Sequence, residues 1–181
     1  MRDHFNNMRS YALGEESGLL MASWPKGRPK IPFPCFSEVM TGFEYTAAVG
    51  MIYEGMEEEG LQVMQNIRDR YDGAKRSPFD EAECGHHYAR AMASWASVVA
   101  LTGFHYSAID ESMQFKEQQG TWFWSNGYAW GTCKIAPDKV IFEVLFGSIK
   151  ISTFSFVGQE KINVENGFLD ADGQSSLTIK F

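Results

Sequence analysis

Residues 77–104, SPFDEAECGHHYARAMASWASVVALTGF, contain the point where a helical sequence pattern gives way to a β pattern. Between His87 and Phe104 the only charged residue is Arg90; its neighbours are small, apolar or aromatic. Tyr88, Met92, Trp95 and Val99 fall on one stripe, which predicts a helix over residues 84–101. That helix is apolar nearly all round, so close packing on several sides is expected. A guanidinium two turns inside it keeps its proton and has to be paired or hydrogen-bonded. Asp80, Glu81 and Glu83, just upstream, are the nearest carboxylates. Beyond Gly103 the 3.6-residue period is lost.

Upstream, a helix is predicted over residues 37–57, with Ser37 as N-cap and Phe43, Tyr45, Ala48, Met51 and Ile52 as its apolar residues. A second spans 58–71, with Leu61, Met64, Ile67 and Tyr71 at near-helical spacing, and Asp72-Gly73 ends it. Residues 1–10 resemble the tail of a helix, and 10–24 suit a loop with a short strand. Residues 25–36 (PKGRPKIPFPCF) hold four prolines and predict an extended loop. Downstream, residues 130–135, 140–146 and 149–157 read as strands. Pro137-Asp138 makes one turn and Gly147-Ser148 a two-residue hairpin. Asn166-Gly167 and Asp172-Gly173 add two more turns. The expected class is α+β, with helices over 1–104 and a C-terminal antiparallel β meander over 105–181. Three helices this apolar do not close a bundle, so they read as part of a larger helical assembly.

The chain has 181 residues, 44% hydrophobic and 22% charged, which suits one or two compact domains. A net charge of −7 with scattered basic residues gives no electrostatic footprint for nucleic acid. The three cysteines (Cys35, Cys84, Cys133) form no CxxC pair and favour a reducing compartment. No signal-peptide core and no membrane-length apolar run is present. A soluble, cytoplasmic protein is expected.

Several constellations bear on chemistry. Asp80, Glu81, Glu83 and Arg90 suit either a pocket floor that grips hydroxyls or a helix-dipole complement with Arg90 salt-bridged in the core. Adjacent His86 and His87 point about 100° apart on a helix and cannot easily share one ion, so no metal is expected. No cofactor is expected either. Glu38 and Glu44 line a polar cavity or lie on a solvated helix face; Glu54, Glu57, Glu58 and Glu59 are solvated surface. Trp122, Phe123, Trp124, Tyr128 and Trp130 (within TWFWSNGYAW) suit a sugar-stacking platform or packing of the β part on the helices. Asp170 and Asp172 in DADG lack the later acidic ligand of a calcium loop and read as a turn.

The runs ESGLLMASWP (16–25), CFSEVMTGFEY (35–45), EEGLQVMQNIRDRYDG (58–73) and PFDEAECGHHYARAMASW (78–95) resemble the C-terminal part of glycoside hydrolase family 116. That family includes β-glucosidases and non-lysosomal glucosylceramidases (bile acid β-glucosidases). The likeness covers roughly residues 10–105 and implies that the helices are the last of an (α/α)6 toroid. It implies that Glu81 and Arg90 bind glucose hydroxyls in the −1 subsite, which leaves Glu83 as the more local candidate for pairing with Arg90. Glu38 corresponds to the family's Glu-Val-Trp motif, but Met40 stands where the Trp is expected. Met40, Glu44, Glu83 and His87 are further candidates for lining the pocket.

Retaining glycosidases use two carboxylates about 5–5.5 Å apart, and the resemblance places both upstream of the matched segment. The expectation is a C-terminal fragment of a β-glucosidase or glucosylceramidase-like enzyme, inactive alone. Its substrate would be a β-glucoside or a glucosylated lipid or sterol. It would associate with an N-terminal part or with itself. The rival is a non-catalytic module that binds carbohydrate or mediates assembly.

Overall fold

The computed structural model describes residues 12–22, 26–27, 30, 38–81, 86 and 89–181. The chain is α+β and forms two compact units, Met1–Val98 and Val99–Phe181. Its helices are α1 (Thr41–Tyr53), α2 (Glu57–Arg70) and α3 (Ala91–Thr102). Among the described residues no helix is long and apolar enough to cross a membrane.

In the first unit α1 and α2 pack through Tyr45, Ala48, Val63, Ile67 and Tyr71. Their close approach depends on Gly60. A Cβ there would stand 2.7 Å from the Ala48 carbonyl oxygen, which is backbone and cannot swing aside. The sequence extends the first helix back to Ser37, which lies outside the described residues. Residues 38–40 are not helical, and Met40, with φ −118° and ψ 117°, precedes the first turn. Glu38 is therefore not a helix residue; its carbonyl accepts a hydrogen bond from the Met21 N–H at 3.0 Å. α3 is also shorter than its pattern. It begins at Ala91, and Met92, Trp95 and Val98 are 90%, 55% and 42% exposed, so these side chains are not enclosed as an all-round apolar pattern predicts.

Glu16 and Arg76 fasten the segment before α1 to the loop after α2. Arg76 Nη1 and Nη2 donate to Glu16 Oε1 and Oε2 at 2.5 and 2.9 Å, a two-pronged pair. The Arg76 hydrogen bond holds the Glu16 carboxyl below its usual range despite some burial. A lowered folded-state pKa contributes stability above the ordinary carboxylate value, and the contribution is lost as pH falls through the folded value. Glu16→Gln should therefore cost about 1 kcal/mol near neutrality, a modest figure because water reaches both side chains. The cost should shrink on acidification. Urea midpoints across pH 3–7 (roughly the carboxylate window) test this, and a pH-independent difference would refute it.

The second unit holds ten strands, β1 (His105–Ser107), β2 (Ser112–Phe115), β3 (Gly120–Ser125), β4 (Trp130–Ala136), β5 (Lys139–Phe146), β6 (Ser148–Lys150), β7 (Thr153–Phe156), β8 (Ile162–Asn163), β9 (Phe168–Asp170) and β10 (Ser176–Lys180). One sheet has the order β10-β5-β4-β3 and is antiparallel throughout; the other is β1-β2-β7-β8; β6 pairs with β9. Their inward residues form one core that includes Phe115, Trp124, Cys133, Phe142, Phe154 and Leu169. Burial pushes the Cys133 thiol far above its usual value, so it stays protonated.

A plain antiparallel meander is not what forms. β2 and β7 run parallel, with Ser112 opposite Thr153 and Phe115 opposite Phe156. A parallel pair needs a long crossover, and here the chain between the two strands passes through the other sheet. Nor is Gly147-Ser148 a hairpin, because β5 and β6 pair with different strands. Gly147 has φ +72°, and a Cβ on it would lie 2.2 Å from the Tyr128 carbonyl oxygen. The chain turns sharply out of the sheet at that contact. Residues 149–157 accordingly divide into β6 and β7. Pro137-Asp138 does join a hairpin, with Ala136 opposite Lys139. In DADG, Asp170 Oδ1 accepts the Asp172 N–H at 2.9 Å, which makes it a turn.

Candidate functional site

Glu81 and Arg90 meet directly. Arg90 Nε donates to Glu81 Oε2 at 3.0 Å, and the Thr41 N–H donates to Glu81 Oε1 at 3.0 Å. Thr41 is the first residue of α1, where N–H groups lack helical acceptors and the dipole favours an anion. One buried carboxylate thus ties the start of α1 to the residue just before α3. Arg90 is not two turns inside a helix. It is the last residue before α3, and its carbonyl accepts the Ser94 N–H. Its φ is +50°, and that of His86 is +77°. Left-handed backbone costs a non-glycine residue about 1–2 kcal/mol and is retained where the surroundings enforce it.

The Arg90 side chain is 21% exposed while that of Glu81 is 4% exposed, so water reaches the arginine and barely reaches the carboxylate. Gly42, in the first turn of α1, leaves the space the guanidinium fills. A Cβ there would meet Arg90 Cδ and Nε at 3.3 Å. Behind the pair is a cavity of about 20 Å³ bordered by Thr41, Tyr45, Tyr71, Glu81 and Arg90. That holds a water molecule and no hexose.

Glu44 goes elsewhere. It is buried and ion-paired with Arg70, whose Nη2 donates to Glu44 Oε2; Glu44 Oε1 accepts the Leu19 N–H at 2.8 Å. Arg70 Nη1 also donates to the carbonyls of Ser17 and Asn66. Burial raises the Glu44 pKa in spite of Arg70, because desolvation of the carboxylate outweighs the attraction. Glu38 is likewise buried, so neither carboxylate lies on a solvated helix face. Glu44 is occupied by a structural pair, not set into the Glu81–Arg90 cluster. A Cβ on Gly18 would stand 2.5 Å from Val39 Cγ1 and 2.9 Å from Arg70 Nη1, so that glycine makes room for the pair.

Arg70 carries no special signal in the sequence. It ends a helix of ordinary amphipathic pattern, where a terminal arginine reads as dipole-complementing surface. Met40 is buried immediately before α1. Glu83 and His87, and with them Cys84, lie outside the described residues. His86 Nδ1 lies 3.1 Å from Asp80 Oδ1 on an exposed stretch. Among the described residues no group of three His, Cys, Asp or Glu side chains could hold a metal ion.

The aromatic run 121–130 divides between two faces. Trp124 is fully buried in the core of the β unit. Phe123 and Trp130 lie outward, and Trp130 stacks on Phe146 with centroids 6.3 Å apart and planes 14° apart. Neither a comparison with protein-family models nor one with curated proteins gives a match for this chain.

Proposed function

We propose that this chain supplies the glucose-holding side of the −1 subsite of a β-glucosidase-like glycoside hydrolase, its helices being the closing helices of an (α/α)6 toroid. The observation that carries the reading is the Thr41–Glu81–Arg90 bridge. It fixes a partly exposed guanidinium, a charge-assisted donor of the kind that binds a sugar hydroxyl. Glu81 acts mainly as the positioning anion, because both its oxygens are engaged and its side chain is buried. The exposed apolar face of α3 at Met92 and Trp95 agrees with a helix whose neighbours belong to a larger ring. The substrate class is a β-glucoside, including glucosylated lipids or sterols. The bond-breaking carboxylates are not among the residues the resemblance assigns to this segment, so the chain alone should bind without turnover.

Titration of the full chain with a glucose-configured iminosugar tests the reading. Arg90→Lys keeps the charge but loses the planar fork. It should weaken binding about tenfold, roughly 1.4 kcal/mol, with unfolding little changed. Lack of binding by the wild type, or binding indifferent to Arg90→Lys, would sink the proposal. So would hydrolysis of an aryl β-glucoside by the purified chain that disappears in Glu81→Gln.

A further inference from the structure

The β unit contains a groove of about 630 Å³ where the β3–β4 hairpin approaches β1, β6 and β9. Ligand sites for small molecules span about 300–1,000 Å³. Its floor is apolar, made by the buried Phe104 and Ile149. Three aromatic rings stand around it: Tyr128 at the hairpin, 87% exposed, Phe168 on β9, 56% exposed, and the half-buried Tyr106 on β1. Singly exposed aromatic residues are common, but several on one concave surface are not.

The polar side of the groove is equally specific. Asn126 Oδ1 accepts the N–H groups of Tyr128 and Ala129 at 3.0 and 2.8 Å, so its amide nitrogen is the group left to donate. Those bonds also set the hairpin backbone that carries Tyr128. The Tyr106 hydroxyl donates to the Lys150 carbonyl at 3.1 Å and keeps its own oxygen as an acceptor. Ser125 and Ser148 add hydroxyls. Gly147 locks the two walls together, because only a residue without Cβ fits against the Tyr128 carbonyl next to Ser148. Among the described residues Lys150 is the one cation lining the groove, and it is ion-paired with Glu111 at 2.8 Å. An anionic ligand would have to compete with that carboxylate.

Aromatic faces, amide and hydroxyl groups and a compensated charge together describe a receptor for a neutral polyol. The electron-rich ring faces attract the C–H face of a pyranose, and the edge groups meet its hydroxyls. We propose that this groove binds a neutral saccharide, with sugar rings on Tyr128 and Phe168 and hydroxyls held by Asn126 and Ser148. The site is separate from the Glu81–Arg90 cluster and does not rest on its assignment.

Calorimetric titration of the full chain with cellotetraose, laminaritetraose, xylotetraose and mannotetraose, and with tetragalacturonic acid as the charged counterpart, tests the groove. At least one neutral tetrasaccharide should bind saturably and better than the acid. Tyr128→Ala and Phe168→Ala should each weaken that binding tenfold or more, with far-UV circular dichroism unchanged because both side chains are exposed. Arg90→Lys should leave it unaltered. The proposal fails if no neutral tetrasaccharide binds, if the acid binds best, or if the two aromatic replacements have no effect. It fails equally if Arg90→Lys abolishes binding, which would move the ligand to the helical unit.

Discussion

Arg70→Ala should destabilise the helical unit by about 3–5 kcal/mol, the usual result of stranding one member of a buried ion pair. Arg70 is fully buried and holds three acceptors, the Glu44 carboxylate and the carbonyls of Ser17 and Asn66. Its removal leaves a carboxylate in the core that, among the described residues, keeps the Leu19 N–H at 2.8 Å. Both charges also sit at favourable helix ends, Glu44 in the first turn of α1 and Arg70 at the end of α2. The pH dependence has a definite sign. Burial already raises the Glu44 pKa, and without Arg70 the opposing attraction is gone, so the folded pKa rises further. A folded-state carboxyl with a raised pKa favours folding below the unfolded value and loses that contribution as pH rises through the folded value. The deficit of Arg70→Ala should therefore be largest near neutrality and should shrink on acidification. Urea unfolding at several pH values measures it. The double replacement Arg70→Met with Glu44→Leu should recover most of the loss, since a buried pair is often matched by apolar groups of similar volume. A single-site cost under about 1 kcal/mol, well short of the stranded-charge range, would show that the pair is not buried in solution.

Phe142→Ala should cost the β unit about 3–5 kcal/mol, the range for truncating a fully buried aromatic residue. Phe142 lies on β5 in the antiparallel sheet, yet its ring neighbours come from the other sheet. Phe115 on β2 is 6.3 Å away and Phe154 on β7 is 5.4 Å away at 69°. One side chain thus joins the two layers, and the parallel β2–β7 pair is held against it. Phe146→Ala, four residues on and 60% exposed, is the matched control. It should cost no more than about 1 kcal/mol, because little apolar area leaves the interior. Urea denaturation of both variants gives the comparison. Equal losses would mean that the two positions do not lie on opposite faces of the sheet.

The burial pattern explains why some of the fold could be read directly from the chain. α2 forms close to its predicted bounds, although it buries Gly60, Val63, Ile67 and Arg70 and leaves Leu61 exposed; β4 and β5 follow their alternation, with Cys133, Ile135, Val140, Phe142 and Val144 inward. The Pro137-Asp138 turn needs only its own four residues. Glu81 and Arg90 were legible as a related pair, though not in their geometry. The sequence offers Glu81 and Glu83 as partners of Arg90 and sets it within a helix, whereas Arg90 precedes α3 and its Nε donates to Glu81; Glu83 lies outside the described residues. Helix periodicity cannot report where a helix starts when an earlier residue takes a left-handed backbone, as Arg90 does at φ +50°. Of the groove only Tyr128 was legible, within the aromatic run; Tyr106 and Phe168 come from β1 and β9, and no local pattern joins them to it.

The sequence by itself determined the helical segments, the alternation of the central strands, the Pro137-Asp138 turn and the acidic balance. These depend on side chains a few residues apart and on the backbone preferences of Gly, Pro, Asn and Asp. Tertiary structure alone decided which arginine would be buried, that Glu44 would leave the candidate site to hold it, and that β2 would pair in parallel with β7. Each of those outcomes requires groups far apart in the chain to meet, 26 positions in the case of Glu44 and Arg70. A charged residue on a helix reads the same in sequence whether it faces water or an oppositely charged partner. Only packing of the neighbouring elements removes the water and makes the pairing necessary.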